Sequence, residues 1–197
     1  MLLYYISDRL QFPGSEATRQ GLLLDKIREA AAAGVDFIQL REKDLSVRAL
    51  ELLARDAVQA IQNTKTRLLI NSRTDIALAC GANGVHLRSD DISVTDARAV
   101  AGRQDWLVFV SCHSAANVAR AAGANMAIFA PVFEKQNVRP TGIEALRDAC
   151  QRGIPVLALG GVTLANAYDC VKAGAAGIAG IRLFQENGVA DVVKALS

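Results

Sequence analysis

A (β/α)8 barrel is the fold class that this sequence predicts, and three observations predict it. Eight short apolar runs, each rich in β-branched residues and followed by polar or glycine positions, recur along 197 residues. Between them lie Ala- and Leu-rich stretches with helical spacing, at roughly 25 residues per strand-plus-helix unit. Glycines fall where those helices should end, at Ala33-Gly34, Cys80-Gly81, Ala101-Gly102, Ala122-Gly123, Arg152-Gly153 and Ala173-Gly174. Strands that alternate with about eight helices imply an all-parallel, eight-stranded sheet, and eight units close into a barrel; an open doubly wound sheet is the alternative. No linker or shift in composition interrupts the pattern, so residues 1–197 read as a single TIM-barrel domain.

The strands are expected at residues 2–6, 37–40, 68–70, 85–87, 107–110, 126–129, 156–159 and 178–181. The clearest helix covers residues 45–62, where Leu45, Ala49, Leu52, Leu53, Val58 and Ile61 recur near i, i+3/i+4 and i+7. The phrase Ala-Gly-Ala/Val precedes a strand three times, at Ala33-Gly34-Val35, Ala122-Gly123-Ala124 and Ala173-Gly174-Ala175, an echo of the repeating unit rather than a true repeat.

Composition narrows the function classes. With 22 basic against 20 acidic residues the net charge is +2, too balanced for a nucleic-acid or polyanion surface. No apolar run reaches the roughly 18 residues of a membrane span, and the first residues lack the basic start and small-residue cleavage site of a signal peptide. The four cysteines are widely spaced, with no C-x-x-C pair, which favours reduced thiols and a cytoplasmic location over zinc or disulfides.

In this fold the site sits at the C-terminal ends of the strands. After strand two, alternation points Gln39, Arg41 and Lys43 toward one side, the barrel mouth. Such a set suits a phosphorylated or otherwise anionic ligand, unless Glu42 and Asp44 tie it into a rim salt-bridge cluster. Asn71-Ser72-Arg73 follows strand three. Asp90 and Asp91, after strand four, offer hard oxygen for a Mg2+ that bridges phosphates, or else a cap for the helix from Ser93 onward. Ser111-Cys112-His113-Ser114 places a Ser beside a His, but no acid partner is apparent, so no hydrolase triad is expected; Cys112 reads as a small apolar residue. Gly160-Gly161, leading toward a helix, and the end of strand eight through Gly180 and Arg182 suit backbone approach to an anion.

Across nearly its whole length the chain resembles the thiamine phosphate synthase and thiazole tautomerase superfamily. The matching pieces are Tyr5-Ile6-Ser7-Asp8-Arg9, the stretch from Gly34 to Lys43, Leu69-Ile70-Asn71-Ser72-Arg73, Gly84-Val85-His86-Leu87, Val110-Ser111-Cys112-His113, Phe129-Ala130-Pro131-Val132-Phe133 and Ala158-Leu159-Gly160-Gly161-Val162; Gln39-Leu40-Arg41-Glu42-Lys43 is the most specific. The resemblance implies a transferase of thiamine biosynthesis that joins hydroxymethylpyrimidine pyrophosphate to thiazole phosphate and releases pyrophosphate. It implies that Gln39, Arg41, Lys43 and Asn71 hold the pyrophosphate and that Asp91 binds Mg2+. It also implies that Ser111 lies near the reacting centre, and that Gly160, Gly161 and the last strand bind the thiazole phosphate. Lys43 and Ser111 are the residues expected to carry catalysis. The expected partners are small phosphorylated heterocycles, with no nucleic acid and no membrane; a homo-oligomer is left open.

The chain departs from the family pattern at three places. Ser72 stands where the family's Asn-Asp-Arg has a second aspartate. Residues 134–141 replace a Pro-Thr-x-Thr-Lys loop, with Lys135 or Arg139 available for its lysine. Arg182 replaces a serine at the strand-eight phosphate site. The alternatives are a tautomerase-like isomerase acting on a thiazole phosphate or a catalytically silent binder of thiazole or thiamine phosphate. In the first, His113 would have to serve as the base, because Ala130-Pro131 occupies the position of that branch's histidine.

Overall fold

The structure, a computed structural model, describes residues 1–134 and 139–196. Eight strands form: β1 (Leu2–Ile6), β2 (Phe37–Leu40), β3 (Arg67–Asn71), β4 (Gly84–Leu87), β5 (Leu107–Cys112), β6 (Met126–Phe129), β7 (Val156–Ala158) and β8 (Gly177–Gly180). Each pairs in parallel with the next, and β8 returns to β1, closing the barrel. The seam runs from Leu2 opposite Gly177 to Tyr5 opposite Gly180. Glycine is required at its start: a Cβ on Gly177 would lie 1.9 Å from the Leu2 carbonyl oxygen.

The helices are α1 (Glu16–Ala33), α2 (Val47–Ala60), α3 (Thr74–Cys80), α4 (Val94–Ala101), α5 (Ala115–Arg120), α6 (Ile143–Cys150), α7 (Ala167–Lys172), α8 (Arg182–Gln185) and α9 (Val189–Leu196). Serines start four of them: Ser15, Ser46, Ser93 and Ser114 each accept a hydrogen bond from the backbone N–H three residues on. Gly34, Gly81 and Gly102 end α1, α3 and α4 in the left-handed conformation. The face that α2 buries differs from the expected one. It runs through Leu50, Leu53, Ala54 and Ala57, whereas Leu52 is exposed. Among the described residues no helix is long and apolar enough to cross a membrane.

Two apolar clusters divide the core. The larger lies between strands and helices and holds the outward residues, such as Tyr5, Ile38, Ile70 and Val85. The smaller fills the barrel itself with Tyr4, Ile6, Leu69, Phe109, Ile128, Leu157 and Ala179. The rings of Tyr4, Phe37 and Phe109 meet edge to face there, at centroid distances of 5.0–6.2 Å.

Candidate active site

The parallel register stacks the inward side chains in layers of four, taken from alternate strands. Tyr4, Leu69, Phe109 and Leu157 form an apolar layer from the odd strands. The even strands then give Gln39, His86, Ile128 and Ala179, and the odd strands Ile6, Asn71, Ser111 and Leu159. Arg41, Arg88, Ala130 and Ile181 lie at the mouth. Polarity therefore rises toward the C-terminal ends, where a cavity of about 1180 Å³ opens.

Gln39, Arg41 and Lys43 all line this cavity, but at different depths. Gln39 is fully buried, and its side-chain oxygen has no hydrogen-bond partner. Arg41 is partly buried and Lys43 exposed. The first of these belongs to the floor and the other two to the rim. Arg41, then burial, then Arg88 lower the Lys43 ammonium below its usual value, so three cations share one side of the mouth.

The rim beside β2 is tied down by a residue to which sequence reasoning gave no role. Arg9 is 2% exposed. It donates to Glu42 at 3.1 Å, to both Asp44 oxygens at 2.7 Å and to Glu16 at 2.7 Å. Glu42 also accepts from the Ser7 hydroxyl at 2.5 Å, and that hydroxyl in turn accepts from the Arg41 backbone N–H at 2.9 Å. Burial outweighs these bonds and raises the Glu42 carboxyl above its ordinary value. The expected salt-bridge cluster thus exists, but Arg9 forms it with Glu42 and Asp44. Arg41 and Lys43 are left facing the cavity. Arg9 lies in the quoted Ser7-Asp8-Arg9 string, yet nothing local marks it as a partner of residues more than thirty positions away.

Ser111 and His113 also line the cavity, and they have separate partners. Ser111 Oγ lies 2.9 Å from Nε2 of His86 on the neighbouring strand. Nδ1 of that ring faces the Tyr4 hydroxyl at 3.1 Å and the Gln39 side-chain nitrogen. Burial, reinforced by Arg41, pushes His86 down to about 3, so the ring is neutral. His113 is exposed, with Nδ1 2.7 Å from the Ala130 carbonyl oxygen. Sequence reasoning set His113 beside Ser111 and left His86 without a role. The inward parity of β4 was the available signal.

Of the two carboxylates after β4, Asp90 lines the mouth, whereas Asp91, the expected Mg2+ ligand, borders a smaller cavity of about 170 Å³. Asp91 Oδ2 accepts from the Arg88 backbone N–H at 2.7 Å, and Asp90 pairs with the Arg88 guanidinium. Neither caps α4, a role that Ser93 fills. Asn71 lines the cavity and donates to Ser72 Oγ at 3.2 Å; Ser72 has φ +60°.

Across the mouth stand Gly160, Gly161 and Arg182. A Cβ on Gly160 would come within 2.7 Å of Pro131 Cα, and one on Gly161 within 2.7 Å of the Glu134 carbonyl oxygen, so the β7 loop can lie against the β6 loop only as glycine. The pair does not open a helix directly, because α7 begins at Ala167 after a turn. Arg182 is the exposed first residue of α8. Lys135 lies outside the described residues, and Arg139 is exposed.

Residues 3–184 match the family model described as thiamine monophosphate synthase. The chain belongs to that family. A thiamine-phosphate synthase of Methanoculleus marisnigri is 37% identical over 185 residues, which cover 90% of this chain and 84% of that one. The thiamine-phosphate synthase of Methanoregula boonei is 38% identical over 159 residues, 77% of this chain and 73% of its own. Among solved structures, the thiamine phosphate pyrophosphorylase from Pyrococcus furiosus superposes with a TM-score of 0.84 at 28% identity, covering 99% of this chain and 93% of that chain. Membership of the thiamine monophosphate synthase family accords with a polar mouth lined by several cations.

Proposed function

We propose that this protein joins hydroxymethylpyrimidine pyrophosphate to thiazole phosphate, giving thiamine phosphate and pyrophosphate. One observation carries the reading: two anion-receptive rims face each other across a single cavity, with a buried polar floor between them. Arg41, Lys43 and Arg88 make one rim, and Gly160, Gly161 and Arg182 the other. Breaking the bond to pyrophosphate leaves a cationic pyrimidine methylene, which the thiazole nitrogen attacks. Leaving-group charge is what must be stabilised, and the three cations Arg41, Lys43 and Arg88 supply that without a covalent nucleophile. The buried, unpartnered Gln39 oxygen supports recognition of the pyrimidine amino group, so Gln39 is assigned to the ring rather than to the pyrophosphate. Asn71 and Ser111 extend the polar wall above it.

Mg2+ fits a thin donor set. Among the described residues no three His, Cys, Asp or Glu side chains converge. Asp91 engages one oxygen with its own loop, Asp90 is held by Arg88, and Ser72 offers a neutral hydroxyl. Mg2+ often takes one or two carboxylates and completes its shell with water and substrate phosphate oxygens; Asp91 borders the smaller cavity and Ser72 lines neither, so the pyrophosphate itself would have to supply most of the shell of a weakly held ion. When bound, it would add positive charge at the leaving group. The four cysteines, none of them paired, support the cytoplasmic location.

The purified protein, given both substrates and Mg2+, should form thiamine phosphate and pyrophosphate in equal amounts; no product with either substrate omitted is the control, and none with both present overturns the reading. A second reading has one observation behind it. If His113 donates from Nδ1 to Ala130, its Nε2 carries a lone pair, as the base of a thiazole tautomerase would require. Proton exchange on the thiazole phosphate alone, lost in His113→Asn, would favour it.

A further inference from the structure

We propose that Tyr4 and Gln39 fix His86 as the tautomer protonated on Nε2, so that Ser111 must turn its own hydroxyl proton into the cavity and serve as a hydrogen-bond donor to the ligand. Tyr4 is then a positioning residue for Ser111, acting through His86 from a layer that no ligand reaches. Only the identity of the ligand rests on the synthase reading.

The donors and acceptors around the ring decide its tautomer. His86 Nδ1 faces an amide nitrogen of Gln39, which has hydrogens and no lone pair to offer, and the Tyr4 hydroxyl at 3.1 Å. Nδ1 can meet the amide only as an acceptor, and the hydroxyl, free to donate or accept, then donates as well. A neutral imidazole with a lone pair on Nδ1 carries its hydrogen on Nε2. That N–H points at Ser111 Oγ, 2.9 Å away, and the serine oxygen accepts it. The serine proton is left to point elsewhere, and Ser111 lines the mouth cavity. This is the reverse of a nucleophile–base pair, in which Nε2 would need a lone pair to take the serine proton.

The surroundings hold this arrangement in place. Tyr4 is fully buried, with its ring against Phe37 and Phe109, so the hydroxyl has one position. The charged group facing His86 is Arg41, from the loop that follows β2. Together with burial it opposes a second proton on the ring, which keeps the imidazole neutral at any pH at which the enzyme works. A hydroxyl with fixed direction loses little entropy on meeting an acceptor atom of the ligand.

Protein labelled with 15N-histidine tests this by NMR between pH 5 and 8, with the His113 signals assigned from His113→Asn. The expected His86 signature is a protonated Nε2 and a bare Nδ1, unchanged across the range. A proton on Nδ1, or a midpoint near the ordinary value of 6.5, overturns the proposal in the unmutated protein, whether or not any variant folds. Tyr4→Phe leaves the Gln39 amide facing Nδ1, so the ring should stay protonated on Nε2 but lose one of its two tethers, lowering kcat about tenfold, roughly the worth of one hydrogen bond, with KM within about twofold. An unchanged kcat in that variant would remove Tyr4 from the account. If no thiamine phosphate forms while the Nε2–H signal stands, the synthase reading fails and the tautomer assignment survives.

Discussion

The β2 rim and the β4 rim present cations to the same cavity, but they are held in contrasting ways. Arg41 and Lys43 rise from a loop whose own Glu42 is bound underneath to buried Arg9 and Ser7. The Arg88 guanidinium leans on Asp90, an ion pair whose side chains are 50% and 65% exposed. The first arrangement is paid for by burial and fixed before any ligand arrives. The second is open to water, where ion pairs contribute little and exchange readily. One half of the mouth is therefore preorganised, and the other can trade its carboxylate for an incoming phosphate.

Removing the anchor should have the largest effect. Arg9→Ala strands the Glu42 carboxylate in a buried site, and loss of one partner from such a pair costs about 3–5 kcal/mol. Urea unfolding of Arg9→Ala beside Arg88→Ala would show it. Equal stability of the two variants would erase the distinction between the rims.

Lys43→Ala comes next. It should lower synthase turnover by about a hundredfold or more and leave the melting temperature nearly unchanged, because the side chain is exposed and packs little. Lost stability with normal turnover would mean that Lys43 belongs to the anchor.

The floor between the rims responds to acid. His86 holds its proton more weakly folded, at about 3, than unfolded, at its ordinary 6.5. The unfolded chain thus binds the extra proton below 6.5. The His86 contribution is complete above that pH and declines toward pH 3, by about 1.4 kcal/mol per pH unit. Stability measured at pH 6.5 and 5.5 should therefore fall less in His86→Gln than in the parent; parallel slopes would contradict the buried neutral ring.

The smallest effects belong to the β4 side. Asp90→Asn should release Arg88 and tighten pyrophosphate binding severalfold without moving the melting temperature. Ser72→Asp adds a carboxylate at a position whose φ of +60° suits Asp. It should lower the Mg2+ needed for half-maximal turnover. An unchanged Mg2+ curve would mean that the cations alone neutralise the leaving group.

The sequence disclosed what depends on spacing along the chain. β1, β2 and β6 begin and end where the apolar runs do, and the two-residue alternation placed Gln39, Arg41 and Lys43 on the inner side. It disclosed less where closure of the barrel decides. Ser111 finds His86 rather than His113 because β4 and β5 are paired, 25 positions apart. The depth of Gln39 follows from the stagger between strands, which no single segment encodes. Arg9 reaches Glu42 and Asp44 only once β1 lies beside β2. Asp91 was expected as a ligand from the family resemblance; that its loop sets one of its oxygens on the Arg88 backbone amide is a contact no spacing announces.

The seam between β1 and β8 has a consequence for how the molecule is made. Synthesis delivers β1 first, yet its second hydrogen-bonding edge has no partner until residues 177–180 emerge. Seven of the eight strand pairings can form between consecutive strands as they appear, whereas the eighth must wait for almost the entire chain. A nascent or truncated product lacking β8 would expose two bare strand edges, the kind of surface that recruits another copy of itself. The glycine that lets Leu2 approach at residue 177 thereby guards against aggregation as much as it completes the sheet.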